Sequence, residues 1–350
     1  MQRHFRLGGG VSPRGTLLRG QAIIEYVLII AVVSLVVAFA GPQVSGAIRN
    51  QFSSISSALA NGVSGTVQRP SVPSTPSQGS GGGSGSGSNN PDKEQKDYLD
   101  DMKTVTGKDP KDWTLEDQKK AAEDIAEKGT ASAAFPKAKD AMDSGTKWTV
   151  TLNDGKTLEY KIIGINHDEL ADGSGKAGLS FMTTSTGIKS RMNATNTNST
   201  GWKNSELRAK MNSGEIWNLM PADLQNKIKP VTKLTIDEHG TTSTAPTSTT
   251  DKLFLLSIVE IAPSAPSNWH DGDWDKPSCL WQEGTQYEAF QGKVLNNTKG
   301  NAALISNTYW WERTNRSYDE SSFLYVSDTG DPSDHTLASN VCTVFPVFCF

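Results

Sequence analysis

The chain has 350 residues, with 34 Lys and Arg against 38 Asp and Glu and a formal net charge of -4. A balance on the acidic side excludes nucleic acid as a partner, because the phosphate backbone is bound by clustered cations. The length leaves room, behind the amino-terminal segments, for one substantial globular domain or two small ones.

Residues 1–19 carry Arg3, Arg6, Arg14 and Arg19 and no acid, which under the positive-inside rule holds this end in the cytoplasm. Without those four charges the net charge falls from -4 to -8. Gly20-Gln21-Ala22-Ile23-Ile24-Glu25-Tyr26 then opens an apolar run, Val27 to Ala40, broken only by Ser34. About 20 apolar helical residues span a bilayer core, so Ala22 to Ala40 is long enough if Glu25 is accommodated. A carboxylate inside a membrane helix is costly and marks a function, whereas a secretory signal peptide keeps its apolar region uncharged. The alternative reading of this start is an uncleaved signal anchor.

Gly, four residues, then Glu-Tyr at the head of an apolar helix resembles the small type IV pilins called Flp or Tad pilins. The resemblance implies a leader, 1–20, cut by a prepilin peptidase between Gly20 and Gln21. It also implies that Glu25, followed by Tyr26, pairs with the new amino terminus of a neighbouring pilin subunit. Charge pairing of that kind is what makes a buried carboxylate tolerable among apolar helices. The implied partners are the prepilin peptidase, the pilus assembly machinery and other pilin subunits. The implied location is the cytoplasmic membrane and then the pilus at the cell surface.

Beyond Gly41-Pro42, Val44, Ile48, Phe52, Ile55, Leu59 and Val63 recur at intervals of three and four. This apolar stripe extends the helix to 21–63 as a pilin-like assembly helix. Residues 64–91 collapse to Gly, Ser, Pro, Thr and Gln. They cannot bury enough surface to offset their conformational entropy, and as a flexible linker they reach roughly 25 to 30 Å.

Residues 92–144 form a helical lead-in, where Thr114 and Asp117 make a capping box and Lys128-Gly129 ends a helix. The period then changes to two. Trp148, Val150 and Leu152 alternate with polar residues, Asn153-Asp154-Gly155 turns, and Leu158, Tyr160 and Ile162 alternate again, which predicts a hairpin. Strands are expected near Leu179 to Thr184, Lys229 to Ile236 and Leu253 to Val259, with helices capped at Ser205 and begun at Pro221. Four of the nine Trp residues fall between Trp269 and Trp310, and Trp311 pairs with the last of them. The chain ends on Val344-Phe345-Pro346-Val347-Phe348-Cys349-Phe350, an apolar strand whose proline argues for an edge or a bulge. Trp148, Leu152, Ile162, Trp202, Leu207, Leu253, Leu255, Trp310 and Phe348 are the expected core.

Ile163-Gly164-Ile165-Asn166-His167-Asp168, Arg191-Met192-Asn193, Gly201-Trp202-Lys203-Asn204-Ser205-Glu206-Leu207-Arg208, Ile228-Lys229-Pro230-Val231-Thr232-Lys233, Asp251-Lys252-Leu253-Phe254-Leu255-Leu256-Ser257 and Trp310-Trp311-Glu312-Arg313 occur in this order. Together they resemble a family of bacterial surface domains of unknown function over about 145–350. That resemblance implies a C-type-lectin-like fold of the formylglycine-generating-enzyme type, with the last strand pairing near the first. The whole chain is therefore expected to be α+β: a long amino-terminal pilin-like α-helix, a Gly/Ser/Pro linker and a C-terminal C-type-lectin-like mixed domain. The Trp-x-Arg, Phe-x-x-Val and Phe-Cys-Phe ending also resembles the variable proteins of diversity-generating retroelements, although Val341-Cys342-Thr343-Val344 replaces the usual Gly-Val pair.

His167-Asp168-Glu169 presents acid–base types, but at a strand end it reads as a solvated turn. Asp271-x-Asp273-x-Asp275 starts like a calcium loop and then places Lys276 and Gln282 where Gly and Glu are needed. No metal, cofactor or phosphate motif is complete, and no nucleophile elbow or Cys-x-x-Cys occurs. Cys279, Cys342 and Cys349 allow one bridge and one free thiol, with the pair left open.

The ligand surface is expected in 315–340, where Asn315, Ser317, Tyr318, Asp319, Phe323, Tyr325, Ser327, Asp328, Asp331 and His335 mix aromatic and short polar groups as paratopes do. Two functions follow. One is a minor or tip pilin, an adhesin whose hypervariable domain binds a protein or glycan on a cell, phage or host surface, with no cofactor and no catalysis. The other is a membrane-anchored extracytoplasmic enzyme of the formylglycine-generating type.

Overall fold

Polar caps cut the described chain into short helices before its strands begin. In this computed structural model, residues 91–199, 201–236, 245–262, 278–295, 299–316 and 319–350 are described. Helix α1 spans Pro91–Gly107, α2 Leu115–Lys128 and α3 Phe135–Ser144. The Thr114 hydroxyl accepts the Asp117 N–H while the Asp117 carboxylate accepts the Thr114 N–H, so the expected capping box is present. Gly129, at φ 58°, ends α2 where a side chain would be strained.

Strand β1 (Lys147–Thr151) pairs antiparallel with β2 (Thr157–Ile165), Trp148 opposite Tyr160 and Val150 opposite Leu158. This is the expected hairpin. Strands β3 (Leu179–Ser185) and β4 (Lys189–Ser190) follow, then helices α4 (Glu206–Asn212), α5 (Glu215–Leu219) and α6 (Ala222–Gln225). Next come β5 (Val231–Thr235), β6 (Thr247–Asp251) and helix α7 (Ile258–Ile261). The last strands are β7 (Trp310–Asn315), β8 (Ser322–Val326), β9 (Asp334–Leu337), β10 (Cys342–Thr343) and β11 (Val347–Cys349).

Three sheets result, in the orders β1-β2-β3-β11, β4-β10-β7-β8-β9 and β5-β6. All pairs are antiparallel except β10 with β7. The terminal strand stands at the edge of the first sheet, where Pro346 is tolerated, and Phe254 and Lys229 bridge to its open side. Tyr160, Phe181, Phe348 and Phe350 form a chain of ring contacts with centroids 5.3 to 5.6 Å apart. All nine expected core residues are buried.

The structure corrects the expected fold class. The described region is a mixed α/β assembly, mostly strands with short helices, and among the described residues there is no long amino-terminal helix. The longest described helix has 17 residues, and none is long and apolar enough to cross a membrane. After Lys147 each helix is at most seven residues, begun at Ser205, Gly214, Pro221 or Ser257, residue types that favour a cap or turn over a helix interior. Nor is the lead-in a separate layer before a lectin-like domain. Val105, Trp113, Ala122 and Ile125 share one core with Trp148, Phe181 and Phe348. At Gly178 a Cβ would stand 1.8 Å from the Ala122 carbonyl oxygen, so helix α2 touches the entry to β3 directly. The leader 1–20, the helix 21–63, most of the linker, and Gly20, Gln21, Glu25 and Tyr26 lie outside the described residues.

The strand expected at Leu253 to Val259 is also corrected. Only Phe254 makes a strand-like bridge, to Val347, and Ser257 with Glu260 then caps helix α7. A short apolar run buried on all sides has no periodicity to separate strand from helix.

Candidate functional site

Strand β7 is buried along its whole length. Inward, Arg313 is fully buried and donates to Glu260 through both terminal nitrogens, to the Leu255 carbonyl at 2.8 Å and to the Glu283 carbonyl at 2.7 Å. Glu260, at the third position of α7, also receives the Lys233 ammonium at 2.5 Å. Lys233 points in from the middle of β5 and meets Asp168 Oδ1 at 2.7 Å. Asp168 in turn accepts the Ser180 hydroxyl at 2.5 Å and the Tyr287 hydroxyl at 2.9 Å on each oxygen. Two cations thus alternate with two carboxylates across the interior, as burial of charge requires.

Asp168 reaches this position through Asn166, which turns the chain at φ 51° after β2 and donates its amide to the Ile125 carbonyl. The solvated turn expected at His167-Asp168-Glu169 is therefore corrected. Asp168 is 3% exposed, and the His167 ring stacks on Tyr287 at 3.9 Å.

Burial alone would raise the Asp168 carboxyl, but the Lys233 and His167 charges and the hydrogen bonds from Lys233 and Ser180 hold it well below the usual carboxylate range. Glu260 is lowered likewise, by Arg313 and Lys233 against burial. Lys233 is raised because Asp168 and Glu260 outweigh burial and Arg313. Glu283 goes the other way. Burial pushes it up to about 7, although Arg313, the Ile236 N–H and the Thr314 hydroxyl all favour its charged form.

A second buried carboxylate joins residues far apart in sequence. Asp251 accepts the Trp202 indole N–H at 3.0 Å, the Arg208 Nε–H at 2.6 Å and the Thr249 hydroxyl at 2.7 Å. Most of the ordered segments in the sequence therefore meet as framework. Trp311 does the same by donating its indole N–H to the Ser190 carbonyl.

Outward, the same sheet presents rings and polar groups. Tyr309 is 47% exposed and meets Tyr325 edge-on at 5.3 Å. Tyr325 is paired across the strands with Asp334, and burial followed by the Asp334 carboxylate raises its phenol. Tyr325, Asp334 and Thr336 share one face by strand alternation and register with the buried Trp311 and Phe323, so only part of that face reaches solvent. His335 and Leu337 stand on the other side of edge strand β9, and Asp328 is exposed in the turn before it. The loop at 193–199 lies alongside: the Asn198 amide donates to the Ser322 carbonyl at 2.7 Å, and the Asn315 amide donates back to the Asn198 carbonyl at 3.1 Å.

The ten expected ligand residues divide accordingly. Asn315, Phe323 and Ser327 are buried, at 5%, 0% and 4% exposure, and are corrected from ligand contacts to framework. Asp319 and Asp331 are half-buried and each gives a carboxylate oxygen to its own turn, through the N–H groups of Ser321 and Ser333. Asp328 is exposed, and Tyr325 and His335 are half-buried. Ser317 and Tyr318 lie outside the described residues, as do the calcium-like acids Asp271, Asp273 and Asp275. Tyr309, Asp334 and Thr336 were not anticipated.

Cys342 and Cys349 are free and buried, and burial pushes the Cys342 thiol up to about 12 and Cys349 well above its ordinary value. That environment opposes the thiolate a nucleophilic cysteine needs. Among the described residues no group of three or more His, Cys, Asp or Glu is placed to hold a metal ion.

Residues 177–350 match the family model described as Domain of unknown function (DUF6273). The match begins just before β3 and takes in Lys233, Glu260 and Arg313, leaving Asp168 outside it. No curated protein and no solved structure matches the chain.

Proposed function

We propose that the chain is a surface-displayed binding protein: a minor or tip pilus subunit and adhesin that carries its globular domain on a tether and recognises a protein or glycan on another surface. The prepilin peptidase cuts after Gly20, Glu25 joins the subunit to its neighbours, and the membrane holds the protein before assembly. The observation that carries the binding part is the contrast between β7, buried along its whole length and anchored by Arg313, and its neighbours, where Tyr309 just before it is exposed and Tyr325, Asp334 and His335 on β8 and β9 are half-exposed. Rings with few rotatable bonds on a rigid sheet give contact area at low entropic cost. If a reverse transcriptase rewrites this segment, changes are tolerated at Tyr325, Asp328 and His335 and excluded from Asn315, Phe323 and Ser327.

The test compares cells displaying the full chain with cells displaying Tyr309→Ser/Tyr325→Ser/His335→Ser, at equal surface amounts. Adhesion to a panel of bacterial and epithelial cells is expected to fall at least tenfold. Equal adhesion by both would overturn the binding role. Amino-terminal sequencing of sheared surface material is expected to begin at Gln21, and a start at Met1 with all protein in the membrane would return the chain to a signal anchor.

A further inference from the structure

Of the buried groups, Lys233 is the one placed for chemistry that a binding role does not use. Its Nζ lies 2.7 Å from Asp168 Oδ1 and 2.5 Å from Glu260 Oε1, with Lys233 4% and Asp168 3% exposed. Phe254 and Tyr287 wall the amine, 4.5 and 5.6 Å from their ring centroids. An amine and a carboxyl held together away from water are the two halves of an amide. We propose that Lys233 and Asp168 condense into an intramolecular isopeptide bond, with Glu260 as the catalytic proton acceptor.

The geometry supplies each requirement. A nitrogen in hydrogen-bond contact with Oδ1 is at most one C–O bond farther from Cγ, and well-oriented neighbours of this kind react as if at effective concentrations on the order of 10⁵ M or more. Ser180 and Tyr287 donate hydrogen bonds to Oδ2, where negative charge develops when Cγ becomes tetrahedral. Arg313 keeps Glu260 ionised and so able to accept a proton.

The step balances without a co-reactant. One proton of the Lys233 ammonium crosses to Asp168 Oδ1, leaving a neutral amine and a neutral acid. Nζ attacks Cγ and the C–N bond forms. Glu260 takes a second proton from Nζ and returns it to Oδ1, which leaves as water when its bond to Cγ breaks. The third proton stays on the amide nitrogen and Oδ2 becomes the amide carbonyl. Two buried charges disappear, and the covalent link closes a span of 65 residues between the end of β2 and β5. The inference stands apart from the binding role.

The decisive measurement is the intact mass of the folded, full wild-type chain after denaturation. It is expected to be lower by one water than the mass calculated for its own amino terminus, with a digest joining the Asp168 peptide to the Lys233 peptide. The denatured wild type is expected to migrate faster in a gel than Lys233→Arg, because its closed loop keeps it more compact. Lys233→Arg and Glu260→Gln are expected to have full mass. A full-mass wild type with no joined peptide overturns the proposal whether or not the variants fold. So does a one-water deficit that persists in Lys233→Arg, which would assign the loss to cyclisation at Asp154-Gly155.

Discussion

The interior beneath β7 and the surface around β8 and β9 use the same kinds of residue for opposite purposes. On the inner side Asp168, Lys233, Glu260 and Arg313 are almost free of water, and every charge is answered by another or by a hydrogen bond. At the surface Asp328 is exposed, and Asp334 and His335, on opposite sides of β9, are partly so. Charge inside is tied to one geometry, because an unmatched ion there costs several kcal/mol. Charge outside is free to change. Both kinds lie within a few residues of each other along β7 to β9.

The strongest way to break the inner half is to remove the strand that closes it. Residues 344–350 are all buried, and β11 joins β3 on one side and bridges Phe254 and Lys229 on the other. Deleting these seven residues is expected to abolish cooperative unfolding, as read by circular dichroism. Phe348→Ala alone should cost about 3 to 5 kcal/mol in a urea titration. Nearly as severe, Arg313→Met should cost roughly 3 to 5 kcal/mol, since Glu260 then keeps only Lys233 as its cationic partner. A cost under 1 kcal/mol would mean that the charges are not mutually dependent.

Much of the frame is legible in the sequence, and the reason is local. The hairpin declares itself through period-two alternation around Asn153-Asp154-Gly155, and α2 through Thr114, Asp117 and Gly129, because neighbouring residues decide those structures. The site is less legible because its partners are distant. Asp168 lies 65 residues from Lys233 and 119 from Tyr287, so nothing beside it distinguishes a buried anchor from a wet turn. Asn315 and Phe323 fail for a related reason. Composition marks the whole 315–340 segment as a surface, while Phe323 joins the main core and Asn315, its cross-strand partner, is tied to the Asn198 loop, contacts made by residues distant in sequence. The match over 177–350 carries no function, and it leaves the hairpin and Asp168 to be joined to the frame by the fold itself.

Acidity sharpens the comparison from within. In the folded chain Glu283 titrates near 7 rather than 4.5, so between those values the folded state holds a proton that the unfolded state has released. Stability from this group is complete below about pH 4.5 and is lost as pH rises toward 7, by up to about 3 kcal/mol. Asp168 and Glu260 have the opposite sign: their folded values are depressed, so their contribution is present above the unfolded values and disappears in acid. The inner half should therefore be most stable near about pH 5. Thermal unfolding from pH 3 to 8 checks this, and Glu283→Gln should remove the decline above pH 5 while keeping the acid limb. A wild type whose melting temperature rises steadily to pH 8 would contradict the raised Glu283.

The outer half should give the smallest stability effects and the largest functional ones. Asp328 is exposed in a turn and Tyr325 is half-covered by Tyr309, so Asp328→Asn should change unfolding free energy by no more than about 0.5 kcal/mol, and Tyr325→Ser by about 1. Asn315→Ser, only ten residues before Tyr325, should cost more than Asp328→Asn, because its amide holds the 193–199 loop to β7 through the Asn198 carbonyl. Ranking the three by melting temperature separates frame from surface without knowing the ligand. If Asn315→Ser is as silent as Asp328→Asn, the loop is not anchored there and the boundary between the two faces lies elsewhere. If the ranking holds and adhesion falls with Tyr325→Ser and Asp328→Asn but not in proportion to stability, the proposed binding surface is separate from the frame.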